Sequence, residues 1–194
     1  MQKKEAQKKE MGSKNYAIID IETGGFSKEK NGICEIAVLI VNSSLNVEEE
    51  FTTLIKPYKR EPQFIGEDGN EFVSYKESAM QVNGIDLDEM EEKGLEAEEV
   101  GVAILNILKN WDIDTIVGHN VKSFDKRWVE YFMSRFGDGF TFDFLIDTLI
   151  LARDKFGKGG NSLPELAEKF GVVNQDEHRA LGDCYATLGV WENL

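Results

Sequence analysis

The chain has 194 residues but few cysteines, histidines and prolines, and no long apolar run. A membrane helix needs about 18 consecutive apolar residues, so we predict no membrane association. Its two cysteines, Cys34 and Cys184, are too few for the disulfide framework of a small secreted domain, and no Cys or His pattern indicates zinc. The charged N-terminus lacks the apolar centre of a secretory signal. We therefore expect free thiols and a cytoplasmic location.

Positive charge is also scarce, because 22 Lys and Arg residues face 36 Asp and Glu residues, for a net charge of -14. Phosphate backbones repel an acidic chain, so net charge alone argues against non-specific nucleic-acid binding. Much of the negative charge lies in residues 86–99, "DLDEMEEKGLEAEE", which predicts a solvated helix or loop face. The total charge therefore does not determine whether a local cleft is negatively or positively charged.

Hydrophobic residues make up 41% of the chain, which is enough for one domain with a core. Residues 1–14 alternate Lys, Glu and Gln and predict a flexible charged tail, followed by a domain over residues 15–194. Three strands are predicted first, at 15–22, 32–41 and 49–57. The short turn "NSSLN" should join the last two as an antiparallel hairpin.

Residues 58–80 show no clear periodicity, and the remaining elements alternate between helix and strand. Helices are predicted at about 99–110, 123–136, 162–171 and 178–192, and a strand at 114–120. Residues 142–157 predict a strand that runs into a further helix. This order predicts an α/β domain whose mixed central sheet begins with an antiparallel meander and is flanked by helices.

The first candidate motif is "YAIIDIETGG", in which Asp20 and Glu22 lie two positions apart on a strand. Alternate residues share a face, so the two carboxylates lie side by side. They repel each other unless they are protonated, paired with a cation or bound to metal. The alternative is a strand end that emerges into water, and a D-x-E match alone does not decide between the two. Gly24 and Gly25 allow close approach of a ligand or a backbone.

The second motif is "VGHNVKSFDKRWV", in which Val121, Trp128 and Phe132 share one helical face and Asp125 falls in line with them, four residues after Val121. A charge on a buried stripe is unfavourable unless it is paired. The alternative to a functional carboxylate is a salt bridge to a neighbouring Lys or Arg.

The third motif is "DEHRALGDCYATLGVW", a predicted helix. Asp183 lies on a side with small residues, which lets the helix pack closely and draws the carboxylate inward. His178 precedes it by about one turn, and its alternative role is that of a surface or capping histidine. Both histidines of the chain, His119 and His178, fall in these motifs.

Taken together and in this order, the three stretches resemble the motifs of the DnaQ-like 3′→5′ exonucleases. These form the DEDDh group of the ribonuclease H-like fold, which includes the epsilon-type proofreading exonuclease of bacterial DNA polymerase III. The matching positions are Asp20, Glu22, His119, Asn120, Phe124, Asp125, His178, Ala180 and Asp183. Three residues separate Asn120 from Phe124, where proofreading subunits usually have two, and this leaves the subfamily open. The His119–Asn120 pair argues against oligoribonuclease.

The resemblance implies a two-metal mechanism with Mg²⁺ or Mn²⁺, held by Asp20, Glu22, Asp125 and Asp183. A set of carboxylates without Cys or His ligands independently suits such hard cations. The resemblance also implies that His178 deprotonates the attacking water, a task for which an imidazole is suited near neutral pH. The product would be a nucleoside 5′-monophosphate.

For substrate binding, the resemblance implies that Thr23 and Gly24 contact the terminal nucleotide through their backbone. Phe26 is a candidate for base stacking, with core packing as the alternative. His119 and Asn120 either contact the scissile phosphate or shape their loop.

The expected substrate is a single-stranded or frayed DNA 3′ end, and a DNA polymerase or another replication or repair protein is a candidate partner. The nearest alternative is an exoribonuclease that trims RNA 3′ ends, and the sequence contains no discriminator of the sugar. A non-catalytic adaptor and an endonuclease of the same fold are more distant alternatives. The oligomeric state is left open.

Overall fold

The computed structural model describes residues 14–66, 69–174 and 178–194. Within these ranges, one mixed sheet has the strand order β3-β2-β1-β4-β5. The strands are β1 (Tyr16–Thr23), β2 (Ile33–Val41), β3 (Val47–Leu54), β4 (Thr115–Gly118) and β5 (Phe144–Asp147). Strands β1 to β3 form the predicted antiparallel meander, whereas β4 pairs parallel with β1 and β5 pairs parallel with β4. The predicted mixed α/β sheet is therefore confirmed.

Seven α-helices accompany the sheet in the described ranges. They are α1 (Glu77–Asn83), α2 (Leu87–Lys93), α3 (Ala97–Asn110), α4 (Asp125–Phe136), α5 (Thr148–Phe156), α6 (Leu163–Phe170) and α7 (Ala180–Asn193). Across those same residues, no helix has both the length and the apolarity that a bilayer span requires.

Helices cover both faces of the sheet, and the alternation of side chains along β1 decides which residues each helix meets. Ile19 and Ile21 belong to the large core under α3 and α4. Ile18 belongs to a second core with α7, which includes Cys184. Because β2 lies between these two layers, all nine of its residues are buried. Asp20 and Glu22 share the parity of Ile18, so they extend the face that α7 covers.

One strand boundary and one helix differ from the sequence prediction here. Strand β3 ends at Leu54 rather than at residue 57, because Ile55 makes only an isolated bridge to Leu95 and the chain then leaves the sheet. Helix α1 was not predicted. It has seven residues, of which only Asn83 is buried, so it lacks the apolar stripe by which a helix is recognised.

Other local predictions are confirmed by the structure. Ser162 and Glu165 form the reciprocal capping box that begins α6, and Gly171 ends that helix in the left-handed conformation. The acids of residues 86–99 lie mostly exposed along α2 and the start of α3. The tail predicted for residues 1–14 lies outside the described residues except for Lys14, so the domain boundary stays a prediction.

Candidate active site

Three predicted carboxylates converge at the end of β1. One oxygen from each of Asp20, Glu22 and Asp183 lies within 4.8 Å of the other two, and all three residues are half-buried. Asp20 and Glu22 reach this point from the α7 face of β1. Asp183 reaches it from α7, which is seated on the sheet by the neighbouring Cys184, whose Sγ lies 3.6 Å from the carbonyl oxygen of Ile18. The close helix packing expected from small residues thus draws Asp183 inward.

Asp125 stands beside this group rather than within it. It is the first residue of α4, on the opposite layer, and it is buried. None of the described residues forms a salt bridge with Asp125, and its neighbour Lys126 pairs with Glu130 instead. Its charge is nevertheless close enough to raise the pKa of Asp20. Four carboxylates from both layers therefore share one electrostatic environment.

Burial and mutual repulsion raise the pKa values of these acids. Burial first, and then the charges of Asp125 and Asp183, raise the pKa of Asp20 well above its usual value. Burial and the charges of Asp183 and Glu35 raise the pKa of Glu22 to about 8. Burial raises the pKa of Asp125 to about 7, although backbone hydrogen bonds act in the opposite direction. A multivalent cation would relieve this repulsion, and carboxylates are the ligands that Mg²⁺ and Mn²⁺ prefer.

His178 is not among the side chains that converge within the described ranges. It is exposed, and its φ of 64° places it in the left-handed region, in the turn just before Arg179 and Ala180 begin α7. The helix thus starts two residues later than the sequence predicts. The Asn174 Nδ2 atom donates to the Asp183 carboxylate at 2.7 Å. Asn174 thus contacts the carboxylate group, and His178 lies five residues before Asp183 in the chain.

Glu35 is a residue of this site that the motifs did not indicate. It is buried on β2, directly opposite Glu22 in the antiparallel register. Its carboxylate accepts hydrogen bonds from Nε and from a terminal guanidinium nitrogen of Arg179, the shortest at 2.6 Å, and from the Ala180 backbone N–H at 3.0 Å. The start of α7 is thereby fixed to the sheet, three residues before Asp183. In the sequence, Glu35 could have been recognised as the single acid in the apolar run "GICEIAVLIV".

His119 and Asn120 follow β4 at the same sheet edge, because β4 runs parallel to β1. Burial lowers the pKa of His119, and its Nδ1 lies 2.9 Å from the Thr148 Oγ1. The exposed Asn120 takes a φ of 64°, and its N–H donates to the buried Asp147 carboxylate at 3.0 Å. Asp147 also caps the start of α5. These contacts shape the loop, which is one of the two roles considered for this pair.

A cavity of about 420 Å³ opens beside Glu22, between the end of β1 and α1. We call it the Glu22 cavity. Its lining includes Thr23, Phe26 and Lys76, and Phe26 is 87% exposed, so it is not a core residue. Phe124 also lines it but packs against the core and against Trp128. An exposed aromatic ring at the rim offers a stacking surface.

Gly24 lies between the lining residues Thr23 and Gly25, and its backbone groups are paired with neighbouring loops. Its N–H donates to the Gly32 carbonyl and its carbonyl accepts from the Lys76 N–H, both at 2.8 Å. A Cβ at Gly24 would lie 2.5 Å from the Tyr75 ring, and one at Gly25 would lie 2.5 Å from the Asn31 Oδ1. Of the two expected uses of these glycines, close approach of a ligand or of a backbone, the structure shows the second at Gly24, where the segment before α1 fills the space, and the Asn31 side chain fills the space at Gly25.

Residues 17–191 match the exonuclease family RNase T. The chain therefore belongs to this exonuclease family, and the resemblance to DnaQ-like exonucleases seen in the motifs is confirmed. The chain is 32% identical over 180 residues to the PolC-type DNA polymerase III of Staphylococcus aureus strain bovine RF122, and 31% identical to that of Staphylococcus epidermidis strain ATCC 12228. Each match covers 91% of this chain but only 11% of the polymerase.

The fold is similar to that of Escherichia coli exonuclease I in complex with a dT13 oligonucleotide, with a TM-score of 0.72 and 20% identity. That match covers 93% of this chain and 40% of exonuclease I. A zinc-bound form of the exonuclease I–ssDNA complex matches with the same TM-score. The predicted ribonuclease H-like exonuclease fold is confirmed.

The raised pKa values predict how the metal-free protein responds to pH. A carboxyl whose pKa is raised on folding stabilises the folded state below its unfolded pKa, and this stability is lost as the pH passes its folded pKa. For Glu22 the window runs from 4.5 to about 8. In EDTA, the thermal midpoint should therefore fall across this window. Saturating Mg²⁺ at the upper end should raise it by about 5–10 °C, as expected for a ligand at about 100 times its Kd.

The control for this titration is a pair of neutralising variants. Glu22→Gln should make the fall in EDTA less steep, with Asp20 and Asp125 responsible for what remains, whereas Glu48→Gln, at an exposed position of β3, should keep the parent profile. A profile that is the same for the parent chain and for Glu22→Gln would contradict the pKa assignment.

The Glu35–Arg179 contact generates a second prediction. Glu35→Gln removes the charge that Arg179 and the α7 amide share, and it should destabilise the protein by about 1–3 kcal/mol, since the buried carboxylate loses charge-assisted hydrogen bonds while the half-exposed Arg179 is solvated. Glu50→Gln is the matched control, because Glu50 also bonds to α7, through the Tyr185 hydroxyl at 2.7 Å, but at an exposed position. Urea unfolding measures both variants, and equal losses would refute a special role for Glu35.

Proposed function

We propose that the protein is a metal-dependent 3′→5′ exonuclease that acts on single-stranded or frayed DNA 3′ ends and releases nucleoside 5′-monophosphates. The observation that carries the proposal is the convergence of Asp20, Glu22 and Asp183 beside a cavity with an exposed aromatic rim. Glu22 belongs to the carboxylate group, which would bind the metal, and it also lines the Glu22 cavity, which would hold a nucleotide.

The residues present fit divalent metal ions. Asp20, Glu22 and Asp183 would hold one ion, with Asp20 shared and Asp125 completing the place of a second. Mg²⁺ or Mn²⁺ bound there would supply the charge that stabilises the attacking and leaving oxygens of a phosphodiester. The carboxylates are carried by β1 and α7, and Glu35 fixes the start of α7 to the sheet. This would keep the metal-binding oxygens at constant distances from one another.

The Glu22 cavity would position the terminal nucleotide. Thr23 lies at its entrance, where its hydroxyl donates to the Gly25 carbonyl at 2.8 Å and holds the loop that carries Phe26. Phe26 would stack on the terminal base, since every base has an aromatic face. Gly24, whose backbone groups are paired within the loop, would act by packing rather than by direct contact.

His178 would take the proton from the attacking water. Its exposed position lets the ring reach solvent, and the turn before α7 ties it to Arg179 and thereby to Glu35. The left-handed φ of His178 is unusual for a non-glycine residue, and such strain is common at functional turns. His119 and Asn120 would order the loop after β4, at the same sheet edge as the carboxylate group.

The choice of DNA is supported by the relatives rather than by the geometry. The curated relatives are DNA polymerases, and a structural neighbour is described with a bound dT13 oligonucleotide. The chain spans only 11% of those polymerases, so association with a polymerase is part of the proposal. The net charge of -14 favours weak, distributive action unless a partner tethers the enzyme to DNA.

The central prediction concerns the release of nucleotides from labelled 3′ ends in Mg²⁺ or Mn²⁺. Asp20→Ala should lower the rate by at least about 1,000-fold, since it removes the shared ligand of a site that works by electrostatic stabilisation. His178→Ala should lower it by about 100-fold or more, as expected for the loss of a general base. Both variants should retain the parent circular dichroism spectrum.

Matched DNA and RNA oligonucleotides in the same assay distinguish the exonuclease on DNA from the RNA-trimming alternative. Faster release from RNA would reverse the proposed preference, and internal fragments would indicate an endonuclease. Full activity of Asp20→Ala, or of the parent chain in excess EDTA, would contradict the metal-dependent mechanism. If the parent chain neither binds metal nor releases nucleotide, the adaptor alternative holds.

A further prediction tests the stacking role of Phe26. Phe26→Ala should lower kcat/KM by about 5- to 100-fold, since stacking of a base on an aromatic ring contributes about 1–3 kcal/mol. Phe144→Ala is the matched control, because Phe144 is a 58% exposed ring on β5 that does not line the Glu22 cavity. Equal kcat/KM values for the two variants would remove Phe26 from the substrate site.

A further inference from the structure

A second cleft, of about 570 Å³, lies next to the Glu22 cavity. Three cationic side chains line it, those of Lys30, Arg60 and Lys76, and no carboxylate lines it among the described residues. We call it the basic cleft. Three lining cations without an acid are notable in a chain of net charge -14, and they give this cleft the opposite sign to the carboxylate group.

The three cations are available to a ligand. Neighbouring lysines are committed elsewhere, since Lys28 pairs with Glu29 and Lys59 pairs with Glu71, each at 2.8 Å. By contrast, Lys30, Arg60 and Lys76 form no salt bridge with any residue in the described ranges. Within the part of the chain that the structure describes, no carboxylate therefore compensates their charge.

Arg60 carries a more specific signal. Its Nε–H is buried and has no hydrogen-bond partner among the described residues. A buried donor without a partner is unfavourable by about 1–3 kcal/mol, and such groups are rare in native proteins. A planar guanidinium fits the oxygens of a phosphate particularly well. The donor is therefore poised for an anionic ligand.

The floor of the cleft is rigid. Asn31 is buried, and its Nδ2 donates to the carbonyl and the hydroxyl of Ser74 at 3.2 and 3.1 Å. Its Oδ1 accepts from the Ser27 backbone N–H at 3.1 Å. One buried amide thus ties the loop after β1 to the segment before α1, and it holds the walls that carry Lys30 and Lys76.

The position of the cleft indicates the source of the phosphate. Lys76 lines both the basic cleft and the Glu22 cavity, whereas Glu22 lines only the latter. With the terminal nucleotide in the Glu22 cavity, as proposed above, the basic cleft lies beyond that nucleotide as seen from the carboxylates. A strand whose 3′ end lies in the Glu22 cavity then has no further phosphate to place in the basic cleft.

We propose that the basic cleft binds the phosphate of a second nucleotide, supplied by the opposing strand of a frayed end or by a free nucleoside monophosphate. The phosphate chemistry follows from the lining, and its assignment to nucleotides rests on the proposed function. Phe64, which also lines the cleft, offers an aromatic face to the accompanying base.

Binding to the full chain in EDTA, where hydrolysis is blocked, tests the cleft without relying on activity. The probes are inorganic phosphate, dTMP, a single strand, and the same strand annealed to a longer partner with a 5′ overhang. The Arg60 Nε–H resonance in NMR spectra should shift with at least one phosphate probe. Fluorescence anisotropy of the labelled oligonucleotides gives the affinity and its dependence on salt.

The variants Arg60→Gln and Lys30→Gln should each weaken binding of the responding probe by about tenfold, since each removes a charge-assisted contact. For an oligonucleotide, each should also lower the slope of log K against log salt by about 0.7–0.9. Lys59→Gln and Lys28→Gln are matched controls of equal charge change outside the lining, and they should change affinity by less than about twofold. Lys30 is exposed, so Lys30→Gln preserves the fold.

The probes separate the two sources of phosphate. Tighter binding of the overhang substrate than of the single strand, lost in Lys30→Gln, assigns the cleft to the opposing strand. A response to dTMP that equals the response to the overhang assigns it to the free nucleotide. No shift of the Arg60 resonance with any probe, or equal weakening by all four variants, would overturn the proposal. If the basic cleft binds phosphate but the metal-loaded chain releases no nucleotide, the proposed exonuclease function is contradicted, whereas phosphate binding in the cleft is supported.

Discussion

Repulsion among carboxylates at the end of β1 is the constraint on which the site depends. Asp20 and Glu22 face α7, where Asp183 joins them within 4.8 Å, and Asp125 adds its charge from the other layer. Such a group is unfavourable in the ionised state without a cation, because burial first, and then the neighbouring charges, raise the pKa values of Asp20 and Glu22. The structure tolerates this repulsion because the sheet and two helices hold the acids in place.

The surrounding structure provides that rigidity. Strand β2 is buried along its whole length and supports β1 from one side. Glu35 on β2 binds Arg179 and the first amide of α7, so the helix that carries Asp183 cannot shift without breaking the contacts of this buried carboxylate. Asp147 performs a similar task on the other side, where it holds the loop of Asn120. Two buried acids outside the carboxylate group thus position its walls.

Charge is distributed unevenly over this acidic protein, and the distribution agrees with an exonuclease. The exposed acids of α2 and α3 account for much of the negative charge, and they lie on a solvated face. The cations Lys30, Arg60 and Lys76 gather instead beside the Glu22 cavity. A net charge of -14 therefore does not prevent local attraction of phosphate, because interactions beyond about 10 Å are largely screened at physiological salt.

Much of the site could be predicted from the sequence, because local rules act there. Strand alternation placed Asp20 and Glu22 on one face, the small residues of α7 brought Asp183 inward, and the capping box located the start of α6. These features depend on neighbours along the chain. The order of the three motifs was likewise sufficient to indicate the exonuclease family.

Contacts between distant segments were decided only by the tertiary structure. Helix α1 has no apolar stripe, and the filling of the space at Gly24 by Tyr75 depends on a segment about 50 residues away. The pairing of Glu35 with Arg179 joins residues 144 positions apart, and the basic cleft gathers cations from three separate stretches. No hydrophobic periodicity in the sequence predicts these contacts between distant residues, because they arise when the whole sheet and its helices pack together. The sequence by itself thus determined which acids form the site, whereas the fold decided what holds and surrounds them.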